Sequence, residues 1–148
     1  MIDIDIIIKQ WENDSEIDDM RLDDASRDSA KLHSKYLSLV STNRLELRKR
    51  ELDMNVLLKD KWLWYNGKMD KATIEAHGWS YDAMNGLKVL KGDMNRFYDS
   101  DPDIQKLQAK IEYLKNSDAI LKEIMDTLRF RGQTIKNMVE WRKFTSGG

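Results

Sequence analysis

From Ala25 to Tyr65 the chain contains neither Pro nor Gly. Its apolar residues recur there at mostly helical spacing: Leu32, Tyr36, Leu39 and Val40, then Leu45, Leu47, Leu52, Val56 and Leu63. An apolar stripe sustained over such a run predicts one long helix. Asn66-Gly67 supplies its stop, since both residues tolerate the positive φ that ends a helix. Upstream, Ile4, Ile7 or Ile8, Trp11, Ile17, Met20 and Leu22 keep helical intervals and predict short amphipathic helices. After Gly67 the pattern fades, with Ala72 to His77 reading as a helical turn. It resumes from Tyr81 to Tyr98 through Met84, Leu87, Leu90 and Met94, although Gly86 and Gly92 each cost about 1 kcal/mol relative to Ala in a helix.

The clearest start signal is Asp99-Ser100-Asp101-Pro102. Ser100 or Asp101 can cap, Pro102 sits in the first turn where no N–H is needed, and Asp103 complements the helix dipole. Ile104, Leu107, Ile111, Leu114, Leu121, Met125 and Leu128 follow on a seven-residue repeat in which Asp118 is the polar member. Such a repeat requires a facing helix. Gly132 is expected to break it, leaving Gln133 to Phe144 as a last short helix carrying Ile135, Met138 and Val139. One Pro and seven Gly are too few for the turns a sheet protein needs. The predicted fold class is therefore all-α, with long helices and a short C-terminal helix.

Composition sets the limits on function. At 148 residues the chain suits one domain, and 41% hydrophobic residues, among them five Trp, five Tyr and eight Met, can build a core. The net charge of −1 hides an asymmetry. Residues 1–28 hold ten acids and three bases, and the remainder has 16 acids and 22 bases. The acidic segment reads either as a solvated face or as an arm that competes with an anionic ligand or docks a basic partner. The absence of Cys excludes disulfides and thiolate sites. No run is long and apolar enough for a membrane span, and the first residues lack the character of a signal peptide, so a cytosolic protein without a membrane partner is expected.

Catalytic patterns fail for physical reasons. Gly67-Lys68 lacks both the earlier glycine and the following Ser or Thr of a phosphate-binding loop. No Gly-x-Ser-x-Gly elbow is present, and nothing marks a serine to serve with His33 or His77. Asp18-Asp19 and Asp23-Asp24 lack calcium-loop spacing. We therefore expect no enzyme, no metal and no cofactor. What remains is a basic segment, Arg44, Arg48, Lys49, Arg50, Lys59 and Lys61, which runs into the aromatic residues Trp62, Trp64 and Tyr65. Cations neutralise phosphates and rings stack on unpaired bases, a combination suited to single-stranded nucleic acid. The competing reading is a salt-bridged helix face, since Glu46, Glu51 and Asp53 are interleaved with the bases.

The patterns His33-Ser34-Lys35-Tyr36-Leu37, Leu58-Lys59-x-Lys61, Trp64-Tyr65-x-Gly67, Arg131-Gly132-x-x-Ile135-Lys136 and Arg142-x-Phe144 occur in an order that resembles the UvsY recombination mediators of T-even-type bacteriophages. Lys61 stands where that family typically has Arg, and Gln133 where an aromatic usually follows the Arg-Gly pair. The resemblance implies an all-helical protomer that assembles into a homo-oligomeric ring in the cytoplasm of an infected bacterium. It also implies partners: single-stranded DNA, a RecA-like recombinase and the single-stranded-DNA-binding protein that the recombinase replaces. Lys59 and Lys61 match the family's DNA-contacting basic pair; Arg48, Lys49, Arg50 and Arg44 are added from the residues themselves. Ile104, Leu107, Ile111, Leu114, Leu121, Met125, Leu128, Ile135, Met138 and Val139 are read as oligomerisation contacts. The division is then an acidic arm (1–24), a DNA-binding part (25–98) and an oligomerisation part (99–148) of a single helical domain. The alternative is a helical scaffold that does not bind DNA.

Overall fold

The computed structural model describes residues 1–147, so Gly148 at the end of the expected oligomerisation part lies outside the described residues. Five α-helices follow one another: α1 (Ile4–Asp14), α2 (Leu22–Tyr65), α3 (Lys71–His77), α4 (Met94–Ser100) and α5 (Pro102–Thr145), with one 3-10 turn at Lys91–Asp93. Among the described residues there is no strand. Among the described residues no helix is long and apolar enough to cross a membrane.

Local chemistry explains the boundaries. The Asp3 carboxylate accepts from Asp5 N at 3.0 Å and opens α1. At the end of α2, Gly67 turns at φ +68° and Lys68 N donates back to Leu63 O at 2.8 Å. Asp70 caps α3 by accepting from Thr73 N, and Gly78 closes it at φ +71°. Of the two candidate caps for α5, Asp101 performs the task. Its Oδ1 accepts from Asp103 N at 2.9 Å and Ile104 N at 3.1 Å.

Three sequence expectations change. Residues 79–90 form an irregular loop rather than the start of a helix through Tyr98. Asn85 and Gly86 lie at φ +50° and +82°, and two consecutive left-handed residues cannot continue a right-handed helix. Gly132 does not break α5, and there is no separate short C-terminal helix. Its φ is helical, and the buried Arg131 and Ile135 hold the helix on either side of it, so the propensity cost of one glycine is overridden by packing. Ile17 and Met20 lie in the irregular segment between α1 and α2, and Met20 is exposed.

The chain divides into two compact units, Leu47–Tyr113 and Met1–Glu46 with Leu114–Gly148; α2 and α5 contribute a segment to each. In the first unit Met54, Ile104 and Ile111 form a core, with Leu47, Leu57, Leu58, Tyr98 and Leu107 packed against it. In the second, Ile4, Ile7, Tyr36, Val40, Leu114, Leu121 and Leu128 are buried, and Asn43 Nδ2 donates to Leu114 O at 3.0 Å. Ile104, Ile111, Leu114, Leu121, Leu128 and Ile135 are thus covered within a single chain, while Leu107, Met125, Met138 and Val139 are half-buried. Six of the ten residues expected at contacts between copies thus lie in the core of the protomer. The seven-residue repeat does find its facing helix, but in the same chain.

Candidate nucleic-acid interface

Counting inward positions along α2 from Met54 leads through Leu58 to Lys61, one heptad on. Lys61 is only 2% exposed. Its Nζ lies 3.0 Å from Asp101 Oδ2 and 2.8 Å from Asp103 Oδ2. The same ammonium sits over two indole rings, 4.5 Å from the centroid of Trp64 and 3.9 Å from that of Trp79. Trp64 and Trp79 are themselves 5.2 Å apart, and His77 stacks on Trp79 at 4.1 Å. Trp64 Nε1 donates to Ser80 O and Trp79 Nε1 to Asp103 Oδ2, so the rings are held by their polar edges.

Asp101 is the centre of this cluster. Besides capping α5 and pairing with Lys61, it accepts from Tyr65 OH at 2.6 Å. Burial works against its charge, but the hydrogen bonds from Tyr65, Ile104 N and Lys61 outweigh that penalty and hold the carboxyl below the ordinary range. Burial, together with the hydrogen bond to the same carboxylate, pushes the Tyr65 phenol well above its usual value. A comparable set occurs in the other unit, where Asp14 accepts from Lys35 at 2.6 Å and Tyr36 OH at 2.8 Å. Asp14 is likewise lowered, with burial opposing and the two hydrogen bonds winning.

The expected basic pair therefore separates. Lys59 projects to solvent, 67% exposed, with Asp60 as its near neighbour at 3.3 Å. Lys61 is enclosed and neutralised, so its expected role as a direct phosphate contact does not fit its position. Arg48 is exposed beside Glu51 at 3.9 Å, and Lys49 is exposed. Arg50 is half-buried with Asp53 at 3.7 Å, and Arg44 is engaged by Asp118 at 2.9 Å. Trp62, three residues after Lys59 and so on the same helix face, is exposed and carries Lys68 Nζ 4.7 Å above its ring. Asp23 and Asp24, weighed above as an ion site, pair with Arg21 and Arg27.

The sequence reading missed Asp103 and Trp79 as partners of Lys61, and Lys68 as a surface cation. For Lys61 a signal was available: it lies one heptad after Met54, on the inward phase. For Trp79 no local signal exists, since its place depends on the irregular loop that follows α3.

Comparison with known proteins adds a family. Residues 10–148 match the model of the family described as "Recombination, repair and ssDNA binding protein UvsY". The chain is similar to the recombination protein uvsY of Enterobacteria phage T4, at 23% identity over 139 residues covering 94% of each protein. Crystal structures of the bacteriophage T4 recombination mediator protein UvsY share its fold. One lattice form superposes with a TM-score of 0.84 at 21% identity, covering 99% of both chains. A second gives 0.80 at 23% identity, covering 93% of this chain and 96% of the other.

Proposed function

Because the chain belongs to the UvsY family of recombination, repair and single-stranded-DNA-binding proteins, we propose that it is a recombination mediator: it binds single-stranded DNA and helps a RecA-like phage recombinase replace the single-stranded-DNA-binding protein. The observation that carries this reading is the family match over nearly the whole chain. The work is done by binding, and no bond of the DNA is made or broken. Its place of action is the cytoplasm of the infected bacterial host.

In this reading Lys59 is the primary phosphate contact, with Arg48 and Lys49 beside it and Arg44 and Arg50 subordinate because acids already engage them. Lys61 serves the fold rather than the DNA, pairing with Asp101 and Asp103 beneath the surface. One protomer offers few phosphate contacts, and non-specific affinities of that kind lie around 10⁻⁴–10⁻⁶ M. A homo-oligomeric ring would repeat the patch and bind one strand multivalently. Surfaces suited to contact between copies lie late in α5, where Phe130, Trp141 and Phe144 are exposed and Met138 and Val139 half-buried. The rings of Trp141 and Phe144 stack at 5.8 Å. A strand held on such a ring follows a deformed path, which loosens its previous binding protein and gives the recombinase a nucleation site.

Titration of the purified protein with single-stranded DNA at several salt concentrations tests the proposal. Binding that weakens steeply with salt is expected, since each neutralised phosphate releases counterions. Absence of binding in dilute buffer would overturn it and leave a helical scaffold that recruits proteins.

A further inference from the structure

Beyond the basic residues of α2, the loop between α3 and α4 encloses a cavity of about 320 Å³, whose lining includes Trp64, Tyr65, Lys68, Tyr81, Met84 and Lys88. That volume falls in the range of ~300–1,000 Å³ usual for small-molecule sites. Its lining is aromatic and cationic, with Asp82 as its one acid. Tyr81 is 60% exposed, yet its hydroxyl donates to Glu75, so the ring has a fixed place before any ligand arrives.

The charges of the segment are unequal in availability. Its acids are occupied by local structure: Asp70 caps α3, Glu75 holds Tyr81, and Asp82 accepts from Met84 N at 3.1 Å. Lys68 and Lys88 belong to the cavity lining and have no acidic partner among the described residues, and the Lys68 ammonium lies over the exposed ring of Trp62 beside it. Free cations beside accessible rings suit a ligand that is anionic along its backbone and flat in its side groups. An acidic peptide would satisfy the lysines but leave the rings unused.

We propose that this cavity is a nucleobase pocket, in which an unpaired base of single-stranded DNA stacks on Tyr81 while Lys68 and Lys88 take the flanking phosphates. The inference rests on the DNA-binding reading above and adds to it a contact with bases. Stacking of this kind tolerates any sequence, because every base offers a π-face.

The test compares a short oligothymidylate with an abasic strand carrying the same number of phosphates, both titrated into the full chain and followed by fluorescence anisotropy. The normal strand should bind about tenfold more tightly. Tyr81→Leu should remove that difference while leaving affinity for the abasic strand unchanged, and Lys68→Gln should weaken binding of both strands. Tyr81 is exposed on a loop, so thermal melting of its variant should match the parent. Equal affinity of the two strands for the parent protein, with normal salt dependence, would overturn the pocket and leave DNA binding standing. A base preference that survives Tyr81→Leu would also overturn it, by placing the bases elsewhere. Failure of either strand to bind in dilute buffer would remove the DNA-binding reading and the pocket together.

Discussion

Replacement of Lys61 by alanine separates a structural cation from a DNA-contacting one. In the native chain the ammonium offsets two carboxylates, of which Asp101 is 1% exposed and Asp103 lies half in solvent. Removing one partner of a buried pair costs about 3–5 kcal/mol, because the surviving charge is left desolvated. The lower end applies here, since Asp101 keeps the Tyr65 hydroxyl and two backbone N–H donors. For a chain of this length, a loss of about 3 kcal/mol lowers Tm by roughly 10 °C. Melting followed by circular dichroism, at one protomer concentration so that assembly is held constant, measures the shift. DNA affinity is then read well below the midpoint. Once folded, the Lys61→Ala protein should retain the salt dependence of the parent, because no surface phosphate contact was removed. A variant that melts with the parent but binds DNA weakly, with a shallower salt slope, would refute the enclosed position of Lys61.

Lys59→Ala should do the reverse, leaving stability within about 0.5 kcal/mol of native and reducing the salt slope by about one as a phosphate contact disappears. Acid titration should expose the carboxylates of Asp101 and Asp14. Both sit below their ordinary value in the folded state, so their contribution is present above about pH 4 and is lost as pH falls through the folded values; the acid limb of an unfolding curve should be shallower in Asp101→Asn. Leu114→Ala should destabilise the protomer by about 2–5 kcal/mol, as for a fully buried leucine, and lower its Tm accordingly. Trp141→Ser, by contrast, should yield smaller species in analytical ultracentrifugation with secondary structure intact. A Leu114→Ala protein that dissociates without losing helicity would return that residue to the contacts between copies.

The long helices were legible because they rest on local rules. The glycine-free run to Tyr65, the Asn66-Gly67 stop and the Asp101-Pro102 start each depend on a few adjacent residues, and each holds in the structure. Gly132 was misread because helix propensity says nothing of tertiary packing, and Arg131 and Ile135 secure the helix on either side of it. Residues 81–90 were misread as helical because Met84, Leu87 and Leu90 keep the spacing, while Leu87 and Leu90 are exposed and the Asn85-Gly86 turn decides the backbone. The basic residues were visible but their environments were not. Lys59 and Lys61 look equivalent in a sequence, yet they stand about 200° apart around α2. The α5 seam has the same ambiguity, since a heptad declares that a facing helix exists without saying which chain supplies it, and here α2 of the same chain covers Ile104 and Ile111.

Asp101 opens one helix and answers a lysine on another, which binds two amino-acid choices into one. A lineage that exchanged Lys61 for an apolar residue would gain only if position 101 passed at the same time to an uncharged capping residue such as Ser or Asn, since the first change alone would strand a buried carboxylate. Protein engineers seeking a sturdier version of this chain should therefore vary the two sites jointly.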